Sequence, residues 1–200
     1  MKKTIYGVTV IGMIALSAFT MNDDIYKVDT KASSLEWTGK KLTGEHNGTI
    51  LLSSGEITMK KDVVTGGKFE IDMTSIEDKD LSGEWKTKMD GHLKSADFFD
   101  PVKFPKGKFE IISATPIKDA KEGDFTHHVK GNLTIKEITN LIEFDAVIKM
   151  KGENIACVGT ATIDRSKFDI KYGSKSFFPE IGDKIIYDEF TVKFNVVASK

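Results

Sequence analysis

The sequence predicts an all-β protein: an extended antiparallel barrel of about eight strands with one short α-helical segment. Three features predict it. Apolar and polar residues alternate in several separate stretches, short turn-forming pairs fall between them, and a single segment follows a helical period instead. In the clearest strands, Phe69, Ile71 and Met73 alternate with Lys68, Glu70 and Asp72. Ile142, Phe144, Ala146 and Ile148 alternate with Glu143, Asp145 and Lys149, and Val192, Phe194 and Val196 with Lys193 and Asn195. A period of two gives one apolar and one wet face, as in an antiparallel sheet packed on one side.

Further strands are expected over residues 34–40, 48–52, 55–60, 108–113, 125–135 and 155–163. Turn signals separate most of them: Ser54-Gly55, Gly66-Gly67, Lys106-Gly107, Glu122-Gly123 and Lys151-Gly152. No internal repeat, linker or low-complexity stretch divides the chain, so residues 21–200 read as one domain. Residues 78–95 are the exception to the strand pattern. Leu81, Trp85, Met89 and Leu93 recur every fourth residue and predict one helical face, while Gly83 and Gly91 predict a short or broken helix. A second irregular region, residues 171–184, carries Phe177-Phe178-Pro179 among polar neighbours.

Residues 1–20 read as a secretory signal peptide. Lys2 and Lys3 supply the positive start, Val8 to Phe19 a mostly apolar stretch too short to span a bilayer, and Ala18-Phe19-Thr20 a small-x-small cleavage site. The expected location is therefore exported, periplasmic or extracellular. The chain carries a net charge of −1; loss of Lys2 and Lys3 takes it from −1 to −3. That balance provides no broad basic face for nucleic acid. Cys157 is the single cysteine, so no internal disulfide forms and the exported domain relies on its core.

The usual constellations for chemistry are missing from the sequence. Of the four histidines, His127 and His128 are adjacent in a strand and point to opposite faces; His46 and His92 stand alone. No H-x-x-x-H or C-x-x-C spacing supports a metal site, and no G-x-S-x-G elbow or Gly-rich phosphate loop is present. The acid pairs Glu77-Asp78 and Asp188-Glu189 read as solvated turns. Cys157 shares a face with Ile155, Gly159, Ala161 and Ile163, which reads as a small buried hydrophobe rather than a nucleophile. No enzymatic activity and no cofactor are expected.

What remains is apolar capacity. Trp37, Phe69, Ile71, Phe109, Ile111, Phe144, Val192 and Phe194 form the inward set, and Gly159 and Ala161 are small residues among them. An eight-stranded barrel is about wide enough to be filled by its own side chains or to hold one small ligand. From the residues alone, both a filled core and a ligand cavity stand open.

The stretch 88–105, KMDGHLKSADFFDPVKFP, resembles the signature of the YceI-like polyisoprenoid-binding family: an acid, then His-Leu-Lys-Ser, Phe-Phe-Asp and Phe-Pro. Residues 131–139, GNLTIKEIT, are similar to that family's Gly-Asp-Leu-Thr-Ile strand. Arg165-Ser166-Lys167-Phe168 resembles its Arg-x-x-Phe turn, and Tyr26 to Trp37 its first strand. The likeness runs in order over residues 25–198. Asn132 stands where the family often has Asp, Glu137 where Gly is common, and Asp169 where Gly often follows the Phe.

The resemblance implies a lipocalin-like barrel with a helix that holds a long isoprenoid chain, such as a quinone or polyprenyl lipid, in its interior. On that reading the tail contacts Phe69, Ile71, Phe109, Ile111, Phe144 and Phe194, and Gly159 and Ala161 leave room for it. Phe98, Phe99, Phe177 and Phe178 then line or gate an entrance, with transient membrane contact during exchange. Two rival readings are a filled-core scaffold whose Phe patches bind a protein partner and, less favoured, a lipid-acting hydrolase.

Overall fold

In the computed structural model, which describes residues 23–200, nine strands and one α-helix follow in the order β1 (Asp24–Val28), β2 (Ser34–Lys41), β3 (Gly44–Lys60), β4 (Val63–Asp78), α1 (Gly83–Leu93), β5 (Lys106–Pro116), β6 (His127–Ile135), β7 (Ile138–Lys151), β8 (Asn154–Asp164) and β9 (Ile186–Ser199), with short 3-10 turns at Arg165–Phe168 and Gly182–Lys184. The segment expected to be a signal peptide lies outside the described residues. Every pairing is antiparallel between strands adjacent in the chain from β2 to β9, and β9 returns to β2 to close the barrel. Closure removes the exposed edges that an open sheet would present.

The barrel has eight staves although it has nine strands. β2 pairs with the first part of β3, Gly44–Ile50, and β1 with the last part, Glu56–Met59. Both also pair with β9, β2 over Ile186–Asn195 and β1 at Ala198 and Ser199. β1 and β2 are thus one stave, broken at residues 29–33. There Asp29 Oδ1 accepts the N–H groups of Lys31 at 2.9 Å and Ala32 at 3.1 Å, an Asx turn that satisfies the interrupted backbone.

Several glycines expected at turns lie inside strands instead. Gly55 is in β3, Gly66 and Gly67 in β4 and Gly107 in β5, so residues 44–60 form one long strand where two were expected. For Gly55, Gly67 and Gly107 the physical reason is close packing against neighbouring strands. A Cβ on Gly55 would stand 3.0 Å from the Phe69 ring, and one on Gly48 would lie 2.6 Å from Trp37 and closer still to the Glu77 carbonyl. Glycine inside a strand often marks a bulge, a tight bend or the close approach of another group.

α1 is shorter than the expected 78–95 segment. Glu84–Lys88 at 2.7 Å and Lys86–Asp90 at 2.9 Å are ion pairs one turn apart, and Ser95 Oγ donates to the His92 carbonyl at its end. Leu93 is buried and Met89 packs on the core, but Leu81 precedes the helix and Trp85 is 70% exposed beneath Lys88. The fourfold spacing misplaces Trp85 because each four-residue step drifts by about 40° around an α-helix.

Candidate functional site

The interior holds two cavities stacked along the barrel, and the strand positions give their order. On β8, Cys157 and Ala161 line the first, Ile163 both, and Arg165, just past the strand, the second. β4 runs the same way, with Phe69 on the first, Ile71 on both and Met73 and Ile76 on the second; β9 matches it with Phe194, Val192 and Phe190. Leu35, Ile71, Leu133, Ile163 and Val192 border both and form a waist between them. From Cys157 to Arg165 the path along tilted strands corresponds to roughly 20 Å of barrel axis.

The first cavity measures about 130 Å³ and is walled by aliphatic and phenylalanine side chains with the thiol of Cys157. Burial pushes that thiol up to about 12, so it stays neutral and behaves as another apolar wall atom. The second measures about 120 Å³. An apolar space of about 150 Å³ stays dry yet admits apolar molecules. Sites for compact drug-sized ligands run from about 300 Å³, so these spaces suit something slender.

Four phenylalanines pass from ring to ring along the wall of the first cavity. Phe69 and Phe109 lie 6.1 Å apart, Phe109 and Phe144 5.7 Å, and Phe144 and Phe194 5.3 Å, in tilted or edge-on geometries. Glycines on neighbouring strands admit the rings: a Cβ on Gly131 would meet Phe109 at 2.4 Å, and one on Gly159 would meet Phe194 at 2.6 Å. Gly159 faces inward as expected, but the Phe194 ring already occupies the volume it leaves. Ala161 is different, for it borders the open cavity directly.

The second cavity ends in a plug built by the HLKSADFFD stretch. Leu93, Phe98 and Phe99 are buried and line the cavity with Trp37. His92 sits edge-on to Phe98 at 4.8 Å and to Tyr172 at 4.4 Å, and Phe99 meets Phe190 at 6.4 Å. His92 is therefore part of an aromatic packing cluster. Among the described residues the buried Trp37 indole N–H has no hydrogen-bond partner, a polar atom at the edge of a largely apolar space.

Arg165 secures this end. It is 3% exposed, and its guanidinium donates to four carbonyls: Nε to Tyr187, Nη1 to Ile170 and Tyr172, and Nη2 to Ile186, at 2.8–3.2 Å. Asp188 Oδ1 lies 3.3 Å from Nη2, an ion pair without hydrogen-bond alignment. Burial draws the Arg165 pKa down, and Asp188 and Asp164 oppose that. Arg165 thereby ties residues 170–172 and 186–187 over the end of β8 and stacks 5.7 Å from the Phe98 ring. The sequence marked the Arg-x-x-Phe turn, but nothing in its spacing foretold four carbonyl partners.

Of the residues expected at an interior site, Phe69, Ile71, Phe109, Ile111, Phe144, Ala161, Val192 and Phe194 line the first cavity, and Trp37, Phe98 and Phe99 the second. Phe177 and Phe178 line neither. They are 39% and 50% exposed on the loop before β9. Phe178 borders an outer groove of about 490 Å³ with Tyr172, Lys136, Lys171 and Lys184, and Lys171 Nζ lies 5.3 Å from the Phe177 ring.

The acid pairs also need correction, since Asp78 is 0% exposed rather than a solvated turn residue. It ends β4 beside the start of α1, where Asp80 and His46 join it. Burial raises its pKa, as does neighbouring Asp80, against the N–H of Leu81. Asp80 is held low despite its own desolvation, by the N–H of Asn47 and by His46. Elsewhere His127 and His128 do face opposite ways. Burial lowers the pKa of inward His127, whereas Asp145 and Glu143 raise that of outward His128.

A closed antiparallel barrel with an elongated apolar interior, plugged at one end by a helix and its following loop, defines a lipocalin-like architecture. The chain belongs to the YceI-like domain family, which it matches over residues 26–198. It is 26% identical over 182 residues to a UPF0312 protein of Pseudomonas putida (strain W619), covering 86% of this chain and 88% of that one. A UPF0312 protein of Staphylococcus aureus (strain bovine RF122 / ET3-1) is 40% identical over 90 residues, 42% of this chain; the match spans only about half, 47%, of that relative. Among solved structures, Burkholderia cenocepacia BcnA superposes with a TM-score of 0.68 at 21% identity, covering 86% of this chain and 99% of BcnA. A polyisoprenoid binding domain from Saccharophagus degradans, implicated in plant cell wall breakdown, does so with a TM-score of 0.62 at 14% identity, covering 87% and 97%. At these identities the superpositions establish the fold.

Proposed function

We propose that this chain binds a long-chain isoprenoid, or an amphiphile with a similarly slender tail, along the barrel axis and carries or sequesters it outside the cytoplasm. The observation that carries this reading is the pair of cavities in line, which share an apolar waist of lining residues. Family membership agrees, and so does the description of the S. degradans neighbour as a polyisoprenoid binding domain. Export rests on the leader-like residues 1–20. Among the described residues, no helix is long and apolar enough to cross a membrane.

The tail threads past Ile71 and Val192 with its far part against the phenylalanine ladder. Its polar end sits toward Trp37 and the plug. Burying each methylene stabilises the complex by about 0.8 kcal/mol relative to water, but the tail's alternative is a bilayer where it is already dry. The net preference is then small and transfer reversible. Exposed Phe177 and Phe178 beside Lys171 suit brief contact with an anionic membrane during exchange. The protein works without a cofactor and without catalysis on this reading; the isoprenoid is cargo.

The test is native mass spectrometry of the exported protein with lipid extraction, repeated on Ala161→Phe. The expected outcome is one extractable isoprenoid per chain in the parent and none in a folded Ala161→Phe. An unshifted mass after incubation with quinone and polyprenol would sink the carrier reading and leave Phe177 and Phe178 as a surface for a protein partner.

A further inference from the structure

We propose that His46, Asp78 and Asp80 form a site for a divalent first-row cation, such as Zn²⁺, that clamps the junction between β4 and α1 at the plugged rim of the barrel. The residues come together through strand pairing. Gly48 on β3 lies opposite Asp78 on β4, which brings His46, two residues earlier on the same face of β3, diagonally across from Asp78. Asp80 follows two residues later in the loop that leads into the helix.

The geometry fits a cation in three respects. Each carboxylate spends one oxygen on the backbone: Asp78 Oδ1 accepts from Leu81 N at 2.7 Å, and Asp80 Oδ1 from Asn47 N at 2.8 Å. Those bonds fix both side chains and turn both Oδ2 atoms toward His46 Nδ1, 3.9 Å and 3.0 Å away respectively. Two donors each ~2.1 Å from one ion stand at most roughly 4.2 Å apart, so both separations are compatible with a shared ion. Second, Asp78 is fully buried, and its Oδ2 has no hydrogen-bond partner among the described residues. A buried carboxylate oxygen left unpaired is strongly unfavourable, and a metal ion is one of the few ways to satisfy it.

Third, the local charge is short of two positive units. Glu77 pairs with Lys79 at 2.6 Å and with Lys86 at 3.3 Å, and Asp90 pairs with Lys86 at 2.9 Å. Lys79 and Lys86 are thus engaged by Glu77 and Asp90, and Lys86 Nζ also donates to the Asp78 backbone carbonyl; among the described residues the only basic side chain beside the Asp78 and Asp80 carboxylates is the His46 imidazole. Four carboxylates against two ammonium groups leave a net of −2, which a dication neutralises. One imidazole and two carboxylates are a donor set that first-row dications accept, with water completing the shell. Spacing rules in the sequence could not find it, because 32 positions separate His46 from Asp78.

The ion would join β3, the end of β4 and the loop that leads into α1, and so hold the segment that leads into the Phe98–Phe99 plug. Chelator-stripped full-length protein titrated with Zn²⁺ in a calorimeter tests this without any lipid. One Zn²⁺ per chain is expected, with slower amide exchange over residues 79–93 once the ion is bound. Asp80→Asn, which keeps the Oδ1 acceptor for Asn47, and His46→Ala should each weaken affinity more than about tenfold. Co²⁺ should give absorption bands in the parent that are absent in His46→Ala. No stoichiometric binding, or binding unchanged in both folded variants, would overturn the proposal and leave the Asp78–Asp80 pair bridged by a proton.

Discussion

The two ends of the barrel are closed in different ways. Away from the plug, Tyr26, Ile57, Met59, Val64, Ile155 and Ala198 bury one another, all from strands and all apolar apart from the phenol of Tyr26. At the plugged end the closing parts are a helix, two irregular loops and buried ionic groups, Arg165 and Asp78. Apolar packing is non-directional and survives small shifts, whereas a buried charge needs every partner in place. The difference teaches where the barrel opens. A segment held by a few directional contacts releases as a unit, at lower free energy than interlocked strands do, so cargo exchange belongs at the plugged end.

The largest expected effect comes from breaking that end. Arg165→Met removes the donors from four carbonyls and the partner of Asp188, a loss of about 3–5 kcal/mol in chemical denaturation. Hydrogen exchange should quicken first over residues 165–187 and 92–104 while Ile57, Ile155 and Ala198 stay protected. Uniform loss of protection in both regions would show that the ends open together and that the comparison fails.

A middle-sized effect probes the strand-built half. Gly159→Ala puts a Cβ 2.6 Å from Phe194 Cζ and 3.0 Å from the Asp145 carbonyl, and overpacking of this kind destabilises by about 1–3 kcal/mol. Adding Phe194→Leu should recover part of the loss, because the nearer obstacle is a ring edge. Absence of any recovery would place the strain in the backbone instead.

Much of this division was legible in the sequence, and the illegible part has a common cause. Alternation identified β4, β7 and β9 because a strand's inward face is written in its own residues. Gly55, Gly67 and Gly107 were misread as turns because their reason lies on the neighbouring strand, in Phe69, Ile111 and Met73. The interior wall followed from the alternating residues, while Arg165, Asp78 and the placement of Phe177 and Phe178 outside both cavities depend on long loops that no period describes. The departures from the family pattern carry their own information. Glu137 and Asp169 both adopt positive φ, 63° and 57°, where glycine is the unstrained residue.

The smallest effect separates two neighbours on the strand-built side. β6 turns His127 inward, where burial lowers its pKa below the ordinary 6.5, and His128 outward. There Asp145 Oδ1 at 2.7 Å and Glu143 Oε2 at 3.2 Å raise the His128 pKa above 6.5. The raised group contributes stability that is complete below pH 6.5 and fades as pH rises through its folded value. The lowered group acts oppositely: the folded state disfavours its protonated form, so stability is lost as pH falls from 6.5 through its folded value. Their contributions partly cancel in a thermal melt, but NMR titration of the two ring protons resolves them, with the His128 midpoint above 6.5 and the His127 midpoint below it. Coincident midpoints would mean that both rings see water, and hence that β6 does not hold the register that places Val129 and Leu133 on the cavity wall. In His128→Asn, which keeps the strand but removes the charge, melting temperature should rise less on going from pH 8 to pH 6 than it does in the parent.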